Sequence, residues 1–255
     1  MKLTRELPRR DVIAIIISLC GITLLSWLYL LLMAANMSSR NGMAAMQIRP
    51  WDAGYFLMMF LMWAVMMVGM MLPSVTPMVL IYAAVARKSA MQGMPVAPTA
   101  AFVSGYIAMW LIFSLFATIA QWGLDKAALL SPMMVSNSVG LGAVLLIAAG
   151  IYQWLPIKDK CLHHCRSPVH FITTHWRSGS IGAFKMGLSH GAFCLGCCWV
   201  LMSLLFVGGV MNILWIAAIT LFVLLEKMLP LGDVGGRLVG LLMFTAGGIF
   251  AFIGT

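Results

Sequence analysis

The sequence predicts an all-α, polytopic membrane bundle of about seven transmembrane helices with a cytoplasmic N-terminus. Three observations lead there. Of 255 residues, 62% are hydrophobic and 9% charged, where a soluble domain carries about 25% charged side chains. Apolar runs long enough to cross a ~30 Å hydrocarbon core recur along the chain. All but three of the 16 Lys and Arg residues fall in segments that this topology leaves on one side, as the cytoplasmic excess of positive charge requires.

The elements follow in order. Lys2, Arg5, Arg9 and Arg10 precede an apolar run from Val12 to Ala35. That run is longer than the apolar core of a signal peptide, and no clear small-residue cleavage site follows, so an uncleaved first span is expected. Asn36 to Pro50 reads as a loop or interfacial segment. Trp51 to Ala86 is continuously apolar apart from Pro73-Ser74 and Pro77. It predicts one helix from about Ala53 to Ala86, kinked near the prolines and projecting from one face. Further spans are expected at 99–122 and 137–155, with a connector at 125–136 between them. A loop at 156–180 precedes an apolar run from about 184 to 210. A Gly208-Gly209 turn leads into a span at 213–229, and the last span is 237–253.

With the N-terminus inside, the basic residues outside the cytoplasmic segments are Arg40, Arg49 and Lys126. The net charge of +9 therefore belongs to membrane orientation, and no base-reading module or aromatic-interleaved basic patch points to nucleic acid. The whole chain, 1–255, is expected to be one integral membrane domain. Its 1–50 part is an N-terminal helix and loop, and 51–255 holds every other expected span.

The chemistry concentrates at His190-Gly-Ala-Phe-Cys194-Leu-Gly-Cys197-Cys198-Trp199. Positions four apart on a helix lie above one another, so His190, Cys194 and Cys198 form one stripe with Cys197 beside it. Free cysteine is ordinarily a small hydrophobe, but ionisable groups grouped inside a membrane segment usually mark function. Gly187, Gly191 and Gly196 allow a neighbouring helix, or a bound group, to come close. A second cluster, Cys161-Leu-His163-His164-Cys165, resembles a metal clip without the two-pair spacing of a zinc finger. On the cytoplasmic side its thiols stay reduced. His170 and His175, further along, read as solvated or interfacial, and Cys20 as packing.

The span from Ala53 carries a methionine face, with Met58, Met62, Met66 and Met70 at four-residue intervals. Thioethers fill irregular gaps, and they also ligate reduced copper. These four, with Asp52 at the helix start, are auxiliary pathway candidates; Asp52 reads equally as a helix cap. Glu226-Lys227 reads as a structural pair or a snorkelling helix end.

Thiolate, imidazole and thioether together suit Cu(I) and, less selectively, zinc. Seven acidic residues are too few and too scattered for calcium, magnesium or a carboxylate-bridged di-iron centre. A c-type haem needs Cys-x-x-Cys-His, and Cys198 stands where that histidine belongs. Non-covalent haem through His190 stays open. No P-loop pattern is present, so any transport draws on a gradient or on the partner.

The pattern Trp63-Ala-Val-Met66-Met67-x3-Met71-Leu-Pro73-Ser74, then Cys161-x3-Cys165, then Gly187-x2-His190-Gly191-x2-Cys194-x-Gly196-Cys197-Cys198-Trp199-x2-Met202 resembles a family of bacterial integral membrane proteins. They carry a domain of unknown function and are predicted metal binders of membrane copper-chaperone type. The resemblance runs from about Trp51 to the C-terminus. It implies delivery of copper to copper oxidases such as tyrosinase-like and laccase-like enzymes. It also implies Cys161, Cys165, His190, Cys194, Cys197 and Cys198 as the ligand pool, with the methionines as auxiliaries.

The expected function is thus a multi-pass protein of the bacterial inner membrane that handles Cu(I). Its metal residues are Cys161, His163, His164, Cys165, His190, Cys194, Cys197 and Cys198, and its partners are the bilayer and a copper-receiving protein or membrane complex. A chaperone or accessory subunit fits better than an enzyme. The rivals are a haem- or copper-binding electron-transfer subunit and a thiol–disulfide membrane protein.

Overall fold

A computed structural model describes residues 7–37, 50–95, 97–131, 134–136, 138–229 and 232–253. Lys2 and Arg5, and nearly all of the expected loop with Arg40 and Arg49, lie outside them. The described residues are helical: α1 (Arg9–Met37), α2 (Ala53–Met91), α3 (Thr99–Lys126), α4 (Val139–Tyr152), α5 (Pro156–Arg166), α6 (Pro168–His175), α7 (Gly179–Ser203), α8 (Leu205–Gly208), α9 (Ile213–Met228) and α10 (Gly232–Ile253).

Among the described residues, five helical stretches are long and apolar enough to cross a membrane: α1, α2, α3, α7 with α8, and α10. Helices α4 and α5 meet at 66° and make a sixth if taken as one broken span. The expected seventh, α9, has 16 residues. At ~1.5 Å per residue it rises about 24 Å, less than the hydrocarbon thickness. The architecture is therefore an all-helical bundle with five or six candidate spans, compatible with a multi-pass membrane protein.

The expected 156–180 loop is largely helical. Pro156 opens α5, and Pro168 opens α6 just after the break at Ser167, because proline tolerates the first helical turn but not the interior of a continuing helix. Two short helices thus replace a coil and give Cys161 and Cys165 a shared face.

Helix α2 keeps both Pro73 and Pro77 inside it. Pro73 has no N–H for the carbonyl of Gly69, and Trp27 Nε1 of α1 donates to that carbonyl at 3.3 Å. A Cβ on Gly69 would stand 2.9 Å from Ser26 Cβ, so the glycine is what lets α1 approach there. The helix starts at Asp52, whose carboxylate accepts from Tyr55 N at 2.7 Å. That cap satisfies one of the donors a helix start leaves free, and it is the structural alternative for Asp52.

Helices α3 and α7 pack most extensively. A Cβ on Gly187 would run into the Phe102 carbonyl, and one on Gly105 into that of Phe184. Backbone meets backbone, as small residues permit between apolar helices. Helices α4 and α10 pair in the same way at Gly150 and Gly240.

Candidate metal centre

The site is built on α7, whose glycines fix what lies beside each sulfur. Cys194, Cys197 and Cys198 are all buried, and the thiols of Cys197 and Cys198 each reach the Cys194 carbonyl at 3.0 Å. Donation to a carbonyl one turn back is the default for a helical thiol with no other partner.

Helix α5 brings the second pair. Cys161 and Cys165 lie one turn apart, so they share a face. Cys165 packs against the buried cluster that holds Cys194, Cys197 and Cys198, where α5 lies along α7. Cys161 presses on Gly196, where an added Cβ would stand 2.8 Å from its sulfur. The Tyr152 hydroxyl holds the Gly196 carbonyl from the α4 end. Two sequence clusters some thirty residues apart thus meet, and all five cysteines involved are free. Cys20, by contrast, lies exposed on α1, away from the core packing expected of it.

Three polar residues join the sulfurs. Lys227 Nζ donates to Cys194 Sγ at 2.9 Å and to Ser74 Oγ at 3.2 Å. The Tyr106 hydroxyl stands 3.1 Å from Cys194 Sγ and 3.4 Å from the Met71 carbonyl. Sequence reasoning gave Lys227 a structural role and overlooked Tyr106 and Ser74. The available signal was a lysine at the end of an otherwise apolar helix, which is a functional hypothesis by default in a membrane.

Glu226 does behave structurally. Its carboxylate pairs with the buried Lys158, which also meets Gln153. Arg166 donates to the Glu226 carbonyl at 3.0 and 2.7 Å. These contacts tie the end of α9 to α5, so the register of α9 that presents Lys227 to Cys194 is fixed by its neighbour in sequence.

His190 shares the α7 stripe with Cys194 but sits among rings. The centroids of Phe171, Tyr106 and Phe102 are 5.1, 6.0 and 6.1 Å away. Its Nδ1 is buried without a hydrogen-bond partner. On α5, His163 is exposed and His164 half-buried, with His164 stacked on Phe193 of α7 at 4.1 Å.

Of the methionine stripe, Met62, Met66 and Met70 are buried and Met58 half-buried, all within the general core. The thioethers that take hydrogen bonds in that region are Met59 and Met134, both from Gln121. Core packing accounts for the stripe as the structure places it.

Among the described residues, no group of three or more His, Cys, Asp or Glu side chains is placed so that it could hold a metal ion as it stands. What the centre offers is a buried pool of thiols from two helices, a cationic amine on one of them, and an orphaned imidazole nitrogen nearby. Soft thiolates in an apolar setting fit a soft ion. No curated protein and no solved structure matches the chain. Residues 60–250, which include every one of these sulfurs, match the PpoB2 family of copper chaperones. With that match spanning most of its length, the chain belongs to the PpoB2 copper chaperone family.

Proposed function

We propose that this protein is a membrane chaperone for Cu(I), which it carries as cargo between the α5 thiols and the α7 thiols before yielding it to a copper-requiring enzyme. The observation that supports this most is the packing of Cys161 and Cys165 on the cluster that holds the α7 cysteines, with Cys161 pressed on Gly196. Sulfurs from two helices offer overlapping two- and three-coordinate arrangements. An ion can then change ligands one at a time without ever being free.

Lys227 favours a monovalent ion. Two thiolates and one Cu(I) carry a single net negative charge, which the Lys227 amine offsets in its protonated form. Two thiolates and Zn(II) are already neutral and would leave that amine uncompensated in a buried site, where an unpaired charge costs several kcal/mol. The Lys158–Glu226 pair is self-compensated and does not alter the balance. His190, with its free Nδ1, is a non-sulfur ligand candidate; of the other two expected ligands, His163 is exposed and His164 half-buried against Phe193.

This reading makes the chain a single integral domain of the bacterial inner membrane with its N-terminus inside. The distribution of its basic residues supports that orientation. The recipient is a copper oxidase of the kind the resemblance implies.

The rivals fit less well. Thiol–disulfide exchange needs access to the attacking sulfur, and Cys194 is 2% exposed. A haem on His190 needs the space that Phe102, Tyr106 and Phe171 fill.

Elemental analysis of the purified protein tests the assignment. About one copper per wild-type chain is expected, falling several-fold in both Cys194→Ser and Cys161→Ser. Copper content unchanged in both variants would remove the thiols from the ligand set.

A further inference from the structure

Four of the five histidines stand together on α5 and α6, apart from the sulfurs. The break at Ser167-Pro168 turns the chain so that α6 carries His170 and His175 back beside the end of α5. The ring centroids of His163, His164 and His170 form a triangle with sides of 6.2, 5.9 and 6.3 Å. His175 lies 6.2 Å from His164 on its other side. His163 and His170 are exposed, and His164 and His175 half-buried.

Two of the rings are already oriented. His164 Nδ1 meets the Lys160 carbonyl at 2.9 Å. His175 Nδ1 meets the Phe171 carbonyl at 3.3 Å and Thr174 Oγ1 at 2.8 Å. A carbonyl can only accept, so Nδ1 carries the proton in both. In the neutral ring Nε2 then holds the free lone pair. A histidine that ligates a metal through one nitrogen commonly donates its other N–H to a backbone carbonyl in this way. Stacking of His164 on Phe193 and of His175 on Phe171, the latter at 4.8 Å, holds the ring planes.

We propose that His163, His164 and His170, with His175 as an alternate, form a second metal site, all nitrogen, that takes a borderline divalent cation such as Zn(II) or Cu(II). Imidazole suits these ions, and thiolate is not required. With metal–nitrogen bonds of about 2 Å, two rings on one tetrahedral ion have centroids about 5 Å apart. The observed rings are about 1 Å wider, a gap that rotation of the exposed His163 and His170 closes. The site therefore forms around its ion. Phe171 lies against both His175 and His190, at 4.8 and 5.1 Å between ring centroids, and so stands between this site and His190; the two sites differ in ligand chemistry. Its existence does not depend on the sulfur site holding copper.

The test uses the full-length chain in detergent with Zn(II) and Cu(II) as probes. A variant with Cys161, Cys165, Cys194, Cys197 and Cys198 all changed to Ser is expected to bind one Cu(II) per chain, with nitrogen superhyperfine splitting in its electron paramagnetic resonance spectrum. Adding His163→Asn and His170→Asn should weaken that binding at least tenfold. In the wild-type sulfur background His170→Asn with His175→Asn should remove one Zn(II) per chain and leave Cu(I) content unchanged, a comparison that stands even if the cysteine-free variant does not fold. Equal Zn(II) stoichiometry with and without His170 and His175 would overturn the proposal. So would a folded cysteine-free chain that binds no Cu(II). Failure of the thiol assignment would show instead as Cu(I) content insensitive to the cysteines.

Discussion

Lys227 Nζ lies 2.9 Å from Cys194 Sγ and 3.2 Å from Ser74 Oγ, which puts one amine between the sulfur centre on α7 and the proline-containing turn of α2. If that amine balances the charge of a two-thiolate Cu(I) complex, Lys227→Met removes the balance while keeping the side-chain length. The variant should lose Cu(I) affinity by at least tenfold and gain relative preference for Zn(II). Competitive loading with both ions, read as the copper-to-zinc ratio per chain, checks this. An unchanged ratio would leave Lys227 with a packing role only.

Gly196 tests the approach of the two helices without touching a ligand. A Cβ there would stand 2.8 Å from Cys161 Sγ, so Gly196→Ala pushes α5 outward at the sulfur pair. Cu(I) affinity should fall by about tenfold, because Cys161 no longer reaches the α7 thiols. The far end of α7 should be undisturbed, with thermal stability reduced by the ~1–3 kcal/mol typical of overpacking. Titration against a chromophoric Cu(I) chelator measures the first effect and a detergent melt the second.

Acid should release the copper. Thiolate ligands must shed their protons to bind, so protons and metal compete. Below the usual thiol range near 8.5, each thiolate ligand weakens apparent affinity about tenfold per pH unit. Two such ligands predict a loss of about a hundredfold per unit between neutral and mildly acid buffer. Retention of copper that does not vary over that interval would exclude thiolate ligation.

The buried pair between Lys158 and Glu226 predicts an asymmetric double mutant. Glu226→Gln leaves Lys158 buried without its counter-charge, and breaking such a pair costs about 3–5 kcal/mol. Lys158→Met together with Glu226→Gln should recover most of that stability. Copper binding in the double variant reports whether the pair also fixes the register of Lys227; a stable chain with normal Cu(I) affinity would show that it does not.

The helical character, the long second helix with its two prolines, and the α7 cysteine stripe were legible in the sequence. Hydropathy and the four-residue spacing are local signals, and local signals survive folding. The meeting of Cys161 and Cys165 with α7 was anticipated as a convergence of two clusters, although the segment carrying them was expected to be a loop. Two prolines at helix starts, Pro156 and Pro168, were the missed sign. The role of Tyr106 was not legible, because it depends on which helices are neighbours; Lys227 gave a signal as a lysine within an apolar helix, but its partner Cys194 did not follow from it. The described residues give five or six candidate spans rather than an established seven, because α9 and α4 are apolar but have 16 and 14 residues of helix, too short a rise to cross the slab alone.

The glycine seam between α3 and α7 has one more consequence. Where the carbonyls of Phe102 and Phe184 occupy the places of the missing side chains of Gly187 and Gly105, those two rods have no slack to slide or tilt, and Cys194 is riveted to a stationary post. The opposite jaw, α5, touches that post through sulfur, a bare glycine and ring faces, which can part without breaking a seam. If a cargo leaves from between them, it is the contact of α5 with α7 that parts, and α5 then moves together with the end of α9 to which Lys158 and Arg166 tie it, while the long rods stay still.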